Sequence, residues 1–163
     1  MGKFFNNAIR AMEEQFPYDR WPIDTDDIRL EWKDTNDLHE IFSGIVTDDE
    51  YKRCMIKALL SFNEALPTTA FTPLDFPFPH LWIKKAFVEV MDEVIMYHTA
   101  NYFSGSSGGV QVPVHERVQM LIPERDRRKA EVDKKQAEIK TDLNYQMAYG
   151  GIVGSGGYGS VYG

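Results

Sequence analysis

Apolar positions recur along this chain at helical spacing in four places. Phe5, Ile9, Met12 and Phe16 stand four, three and four residues apart, which predicts a short helix over 4–16. Pro17 ends it, because proline lacks the N–H that the next turn needs. Thr47-Asp48-Asp49-Glu50 has the spacing of a capping box, and its acids suit the positive end of a helix dipole. Tyr51, Met55, Ala58, Phe62 and Leu66 then form one stripe, stopped at Pro67. The third helix, 80–103, is apolar around most of its circumference. Ile83, Phe87, Val90, Val94 and Tyr97 make one face, and Trp82, Ala86, Met91 and Ile95 make much of the rest. Lys85, Glu89, Asp92 and Glu93 leave a narrow solvent strip, so this helix is either central or in contact with a neighbouring subunit. The fourth runs from about His115 to Tyr149. Val118, Leu121, Ile122, Val132, Ile139, Leu143 and Met147 mark its apolar side, and Pro123 is expected to kink or interrupt it.

Between these helices the pattern changes. In IRLEW, Ile28, Leu30 and Trp32 alternate as in a short strand. Residues 67–79 hold four prolines and three phenylalanines, which predicts extended chain pinned by Phe71, Phe76 and Phe78 across the helices. That segment reads first as a core-packing loop and second as a peptide-recognition surface. SGSSGG at 104–109 is a turn, and VQVPV at 110–114 reads as a strand or extended link. Gly150-Gly151 suits a helix C-terminus. The fold class expected is mainly α: a helical bundle of about four helices, with an extended N-terminal acidic segment and an extended Gly/Tyr-rich C-terminal tail. The domain reading is an acidic arm over 1–47, a helical core over 48–149 and a docking tail over 150–163.

Charge sharpens this division. The 163 residues carry a net charge of −7, yet residues 1–50 alone hold thirteen acidic and five basic side chains. A general binder of nucleic acid or anionic membrane needs a basic face, so composition speaks against both. The middle of the fourth helix, PERDRRKAEVDKKQAEIK, reads as a solvated face of alternating charge. The lesser reading is that Arg125, Arg127, Arg128 and Lys129 meet an acidic partner or phosphate. The N-terminal segment lacks the apolar run of a signal peptide, and charges interrupt the third helix too often for a membrane span.

Candidate chemistry is sparse. Cys54 is the one cysteine and lies beside the second stripe, where it reads as a packed residue. His39, His80, His98 and His115 are scattered without metal-ligand spacing, and His98 sits on the apolar third helix as a core or interface residue. Gly154 to Val161 matches G-x-G-x-x-G-x-V, a phosphate-covering loop, but the strands and downstream lysine that give that loop its function are missing from this pattern. No enzyme activity, metal or cofactor is expected.

The tail carries more physical content. Residues 143–163 are uncharged, and seven of the fourteen residues from Gly150 are glycine, with Tyr149, Tyr158 and Tyr162 among them. Glycine costs the most backbone entropy to fix, so such a segment calls for a partner to order it. Ile152-Val153 and Gly159-Ser160-Val161-Tyr162 suit strand addition to a partner's sheet edge, with the tyrosines as anchors.

The order over about 80–163 is a long apolar helix ending in NYFSGSSGGVQVPV, a long charged helix through KKQAEIKTDLNYQMAYGG, and a Gly/Ser/Tyr tail. It resembles the head–tail adaptor (neck, or connector) proteins of tailed bacteriophages. Asn101, Tyr102, Ser104, Gly108, Gly109, Asn144, Tyr149, Gly150 and Gly151 carry the likeness. The resemblance implies a structural virion protein at the head–tail interface. Its copies would form a dodecameric ring that joins the portal to tail, nozzle or collar proteins and continues the DNA channel without sequence-specific DNA binding. Portal docking would then fall to Tyr149, Gly150, Gly151, Ile152, Val153, Tyr158, Val161 and Tyr162. Subunit contacts would fall to Trp82, Phe87, Met91 and Ile95. The alternatives are another phage neck or tail-tube component, or a cytoplasmic helical module that docks its tail on a partner protein.

Overall fold

The computed structural model describes residues 2–34, 46–104 and 112–150. Among these residues there are five α-helices and no strand: α1 (Gly2–Gln15), α2 (Thr25–Glu31), α3 (Asp48–Glu64), α4 (Pro79–Ser104) and α5 (Val112–Gly150). Single 3-10 turns lie at Tyr18–Arg20 and Trp32–Asp34. The mainly α fold expected from the sequence is present.

Helix α4 is the centre. Leu81, Trp82, Ala86, Phe87, Val88, Val90, Met91 and Val94 are all buried, and α2, α3 and α5 pack around them. Arg53 reaches Glu93 and Lys57 reaches Glu89, so α3 and α4 run antiparallel. Arg125 bridges Asp92 and Arg128 lies over the Phe87 ring, so α5 is antiparallel to α4 as well. The apolar surface of α4 from Leu81 to Val94 is thus covered within one chain, whereas Met96 and Tyr97, the latter expected on the apolar face, are exposed.

Helix α3 starts as its sequence dictates. Thr47 Oγ1 accepts from the Glu50 N–H, while Glu50 Oε2 accepts from the Thr47 N–H. Tyr51, Met55, Ala58 and Phe62 are fully buried along its stripe. Leu66 departs from that stripe: the helix ends at Glu64, and Leu66 is 83% exposed.

The region 21–32 is not the extended arm that its charge and alternation suggest. Asp24 caps α2, accepting from Asp27 N–H at 2.9 Å while Asp27 Oδ2 accepts from Asp24 N–H at 2.8 Å. Ile28 and Trp32 are four residues apart as well as two pairs of alternation, and the helical period wins. Both are fully buried, whereas Leu30 on the opposite side is 52% exposed. Trp32 Nε1 donates to Tyr51 Oη at 2.9 Å, and its ring meets Phe87 edge-on at 4.8 Å. With Trp21 and Ile23 also buried, this stretch joins the core that residues 48–149 build.

The phenylalanine-rich connection behaves as a core-packing loop. Phe62, Phe71, Phe76 and Phe78 contact one another with ring centroids 5.0–6.2 Å apart. Asn63 fixes the loop's path. Its amide donates to Phe71 O, its Oδ1 accepts from Thr69 Oγ1 and Phe71 N–H, and its backbone O accepts from Thr69 N–H.

Helix α5 departs from expectation at its start. Val112–Val114 are helical rather than extended, and the helix continues through Pro123. Pro123 and Gln119, whose carbonyl loses its helical donor there, both face solvent, where water can supply the missing bond. Of the turn expected at 104–109, Ser104 closes α4, and residues 105–111 lie outside the described residues.

The helical placement of α2 is testable by paired truncations. Trp32→Ala should cost about 3–5 kcal/mol of unfolding free energy in a denaturant titration, as large buried aromatics do. Leu30→Ala should stay within about 0.5 kcal/mol, as exposed positions do. Equal losses at both positions would contradict this placement.

Candidate functional site

The residues assigned to subunit contacts divide. Trp82, Phe87 and Met91 are fully buried inside the chain's own core, and Trp82 Nε1 donates to Met55 O at 2.7 Å. They hold α4 against its neighbours and have no surface left for another copy, which corrects the expectation. Ile95 is half-buried against the same core. Of the docking residues, Tyr149 is exposed and its ring lies 4.5 Å from that of Tyr145, with Met147 exposed on the other side of the helix. Gly150 closes α5. Gly151, Ile152, Val153, Tyr158, Val161 and Tyr162 lie outside the described residues.

The acidic strip of α4 is not a solvated face. Glu89 pairs with Lys57 at 2.8 Å, Glu93 with Arg53 at 3.0 Å, and Asp92 with Arg125. The basic stretch of α5 is committed in the same way. Arg128 bridges Glu31 at 2.8 Å and Glu124 at 2.9 Å while covering Phe87. Arg127 holds Glu124 and Glu131, both at 2.7 Å. Arg125, Arg127 and Arg128 are therefore paired with carboxylates of the chain itself, while Lys129, the fourth residue of that stretch, is exposed. Arg127 first, then Arg128, holds the Glu124 carboxyl below the ordinary carboxylate value.

Neither Cys54 nor His98 has the setting of a reactive group. Burial, reinforced by the charges of Glu93 and Glu89, pushes the Cys54 thiol up to about 12, so it stays protonated. Burial lowers the His98 imidazole below its ordinary value, and the Tyr97 ring meets it edge-on at 5.4 Å. Among the described residues no cluster of three His, Cys, Asp or Glu could hold a metal, and no described helix is long and apolar enough to cross a membrane.

The far half of α5 is bordered by two grooves. One, of about 500 Å³, lies between Leu66-Pro67 and Ala137, Lys140, Thr141 and Asn144. The other, of about 460 Å³ and mostly apolar, lies between Pro77–Leu81 and Val132, Lys135 and Ile139. At 100° per residue these two sets occupy opposite sides of α5. Lys140, only 3% exposed, stands between the first groove and the core. Its Nζ donates to Pro67 O at 2.9 Å and Thr69 Oγ1 at 3.0 Å and lies 4.3 Å from the centre of the Phe62 ring. No described carboxylate bridges it, and burial lowers its ammonium below the ordinary lysine value. Sequence reasoning missed Lys140. The signal was a lysine on the buried side, at four-four-three spacing with Val132, Gln136 and Leu143.

Two measurements check this electrostatic and thiol chemistry. Glu124 binds its proton less readily folded than unfolded, so its contribution is full above the unfolded value and disappears as pH falls through the folded one. Glu124→Gln should therefore lower the Tm at pH 7 and converge on wild type only as the pH falls below the ordinary glutamate range. A Tm difference that does not depend on pH would count against the ion-pair account. A disulfide reagent should leave native Cys54 unmodified over hours and titrate one thiol only after denaturation.

No protein-family model matches the chain, and no curated protein or solved structure matches it either.

Proposed function

We propose that this chain is a structural assembly protein, an adaptor whose copies form a ring joining a phage portal to the tail and continuing the DNA channel. The observation that carries the reading is the end of α5. A helix of 39 residues, ~58 Å long at 1.5 Å per residue, leaves the core carrying an exposed Tyr145–Tyr149 ring pair and Met147. It leads directly into an uncharged glycine and tyrosine segment. A rigid arm that ends in aromatic side chains is the form of a docking element, because tyrosine supplies contact area at low entropy cost. Exposed Asp19, Asp24 and Asp49, with Arg125, Arg127 and Arg128 paired to carboxylates, suit a wall past which DNA slides without sticking.

A second reading has its own support. Because Trp82, Phe87 and Met91 are satisfied inside one chain, the fold needs no ring to bury α4. That suits a monomeric helical module that docks its tail on a partner protein.

Native mass spectrometry of the purified chain, alone and with the cognate portal ring, separates the two. The adaptor predicts a portal-bound ring of many copies; a chain that stays monomeric and ignores portal sinks it. Deleting Gly151–Gly163 should leave helical content and Tm unchanged and weaken portal attachment at least about tenfold, the loss of a docking anchor of about 1.4 kcal/mol or more. Undiminished attachment would rule out the tail as the docking element.

A further inference from the structure

The apolar groove beside α5 has an occupant within the chain's own reach. We propose that, in the free protein, a tyrosine of the tail, Tyr158 or Tyr162, folds back along α5 and seats in the groove between Pro77–Leu81 and α5. The seat does not depend on any portal partner.

Three observations meet here. The first is a continuous track. Glu131, Lys135, Ile139, Asp142, Gln146 and Tyr149 recur along α5 at spacings of four and three, so Tyr149, where the tail departs, stands on the face that borders the groove. The second is reach. Ile139 and Lys135 lie eleven and fifteen residues before Gly150, ~17 and ~22 Å back along the helix. Tyr158 is eight residues past Gly150, a span of up to ~28 Å, and Tyr162 is twelve past it, up to ~43 Å. Gly150-Gly151 and Gly154 supply the backbone freedom that a reversal at the helix end requires. The third is chemical fit. Phe78, Leu81, Val132 and Ile139 offer apolar walls to a phenol ring, and Lys84 and Lys135 at the rim offer donors to its oxygen. A tail without charge meets no repulsion from this mixed rim.

Tethering makes a weak contact sufficient, because a short flexible connection presents its end at millimolar effective concentration. The consequence is autoinhibition: a seated tyrosine is withheld from any external partner until that partner outcompetes the groove.

The test uses the full chain with Gly156→Cys carrying a nitroxide label, which Cys54, with its buried thiol near 12, does not compete for. Paramagnetic broadening of backbone amides is measured by NMR against the reduced label. Amides of Lys84, Val132, Lys135 and Ile139 should lose at least about half their intensity, a range effect that only a tail near the groove produces. Tyr158→Ala together with Tyr162→Ala should restore those signals with an unchanged Tm, since neither residue belongs to the described core. Broadening confined to 145–150, or spread evenly over the surface, overturns the proposal. So does groove broadening that arises only when spin-labelled and isotope-labelled chains are mixed, for the occupant is then a second copy.

Discussion

Helix α4 carries too much apolar surface to lie at the edge of anything, and the rest of the structure answers that constraint. An amphipathic helix can be capped from one side. This one is covered by α2, α3 and α5 at once, each from a different part of the sequence. Burying Trp82, Phe87 and Met91 supplies the driving force but sets no direction, since apolar contact is not directional. Direction comes from the acidic row Glu89, Asp92 and Glu93, which is matched to Lys57 and Arg53 on one side and Arg125 on the other. A slip of either neighbour by one turn would leave these half-buried charges unpaired, which is costly where water is scarce.

Arg128 extends the same logic to the N-terminal third. It covers Phe87 with its guanidinium and bridges Glu31, which lies 97 residues away in sequence. One side chain thus ties α2, α4 and α5 together. The acidic N-terminal third is a structural participant at this point, not an appendage.

How much of this could be read from the sequence depended on whether the signal was local. The Thr47–Glu50 cap, the α3 stripe as far as Phe62 and the apolar surface of α4 as far as Val94 are local patterns, and they read correctly. Residues 28–32 fit both a period of two and a period of four, and the reciprocal Asp24–Asp27 cap resolves the ambiguity in favour of the helix. The ion pairs across helices were invisible because charge on a helix face looks the same whether it meets water or a partner 40 residues away. Assigning Trp82 and Phe87 to a neighbouring subunit followed from reading α4 without knowing that α2 would cover it. Lys140 escaped notice for a related reason: a lysine is taken as surface until the loop that engulfs it is placed. The uncharged, glycine- and tyrosine-rich composition after Asp142 is plain in the sequence, while the exposure of Tyr145 and Tyr149 required the structure.

The loop held by Asn63 and the start of α4 leave the far half of α5 standing between two grooves of similar volume on opposite sides. Lys140 ties the middle of that half to Pro67 and Thr69, so the helix is held to the loop at one point while a concave surface stays open on each flank.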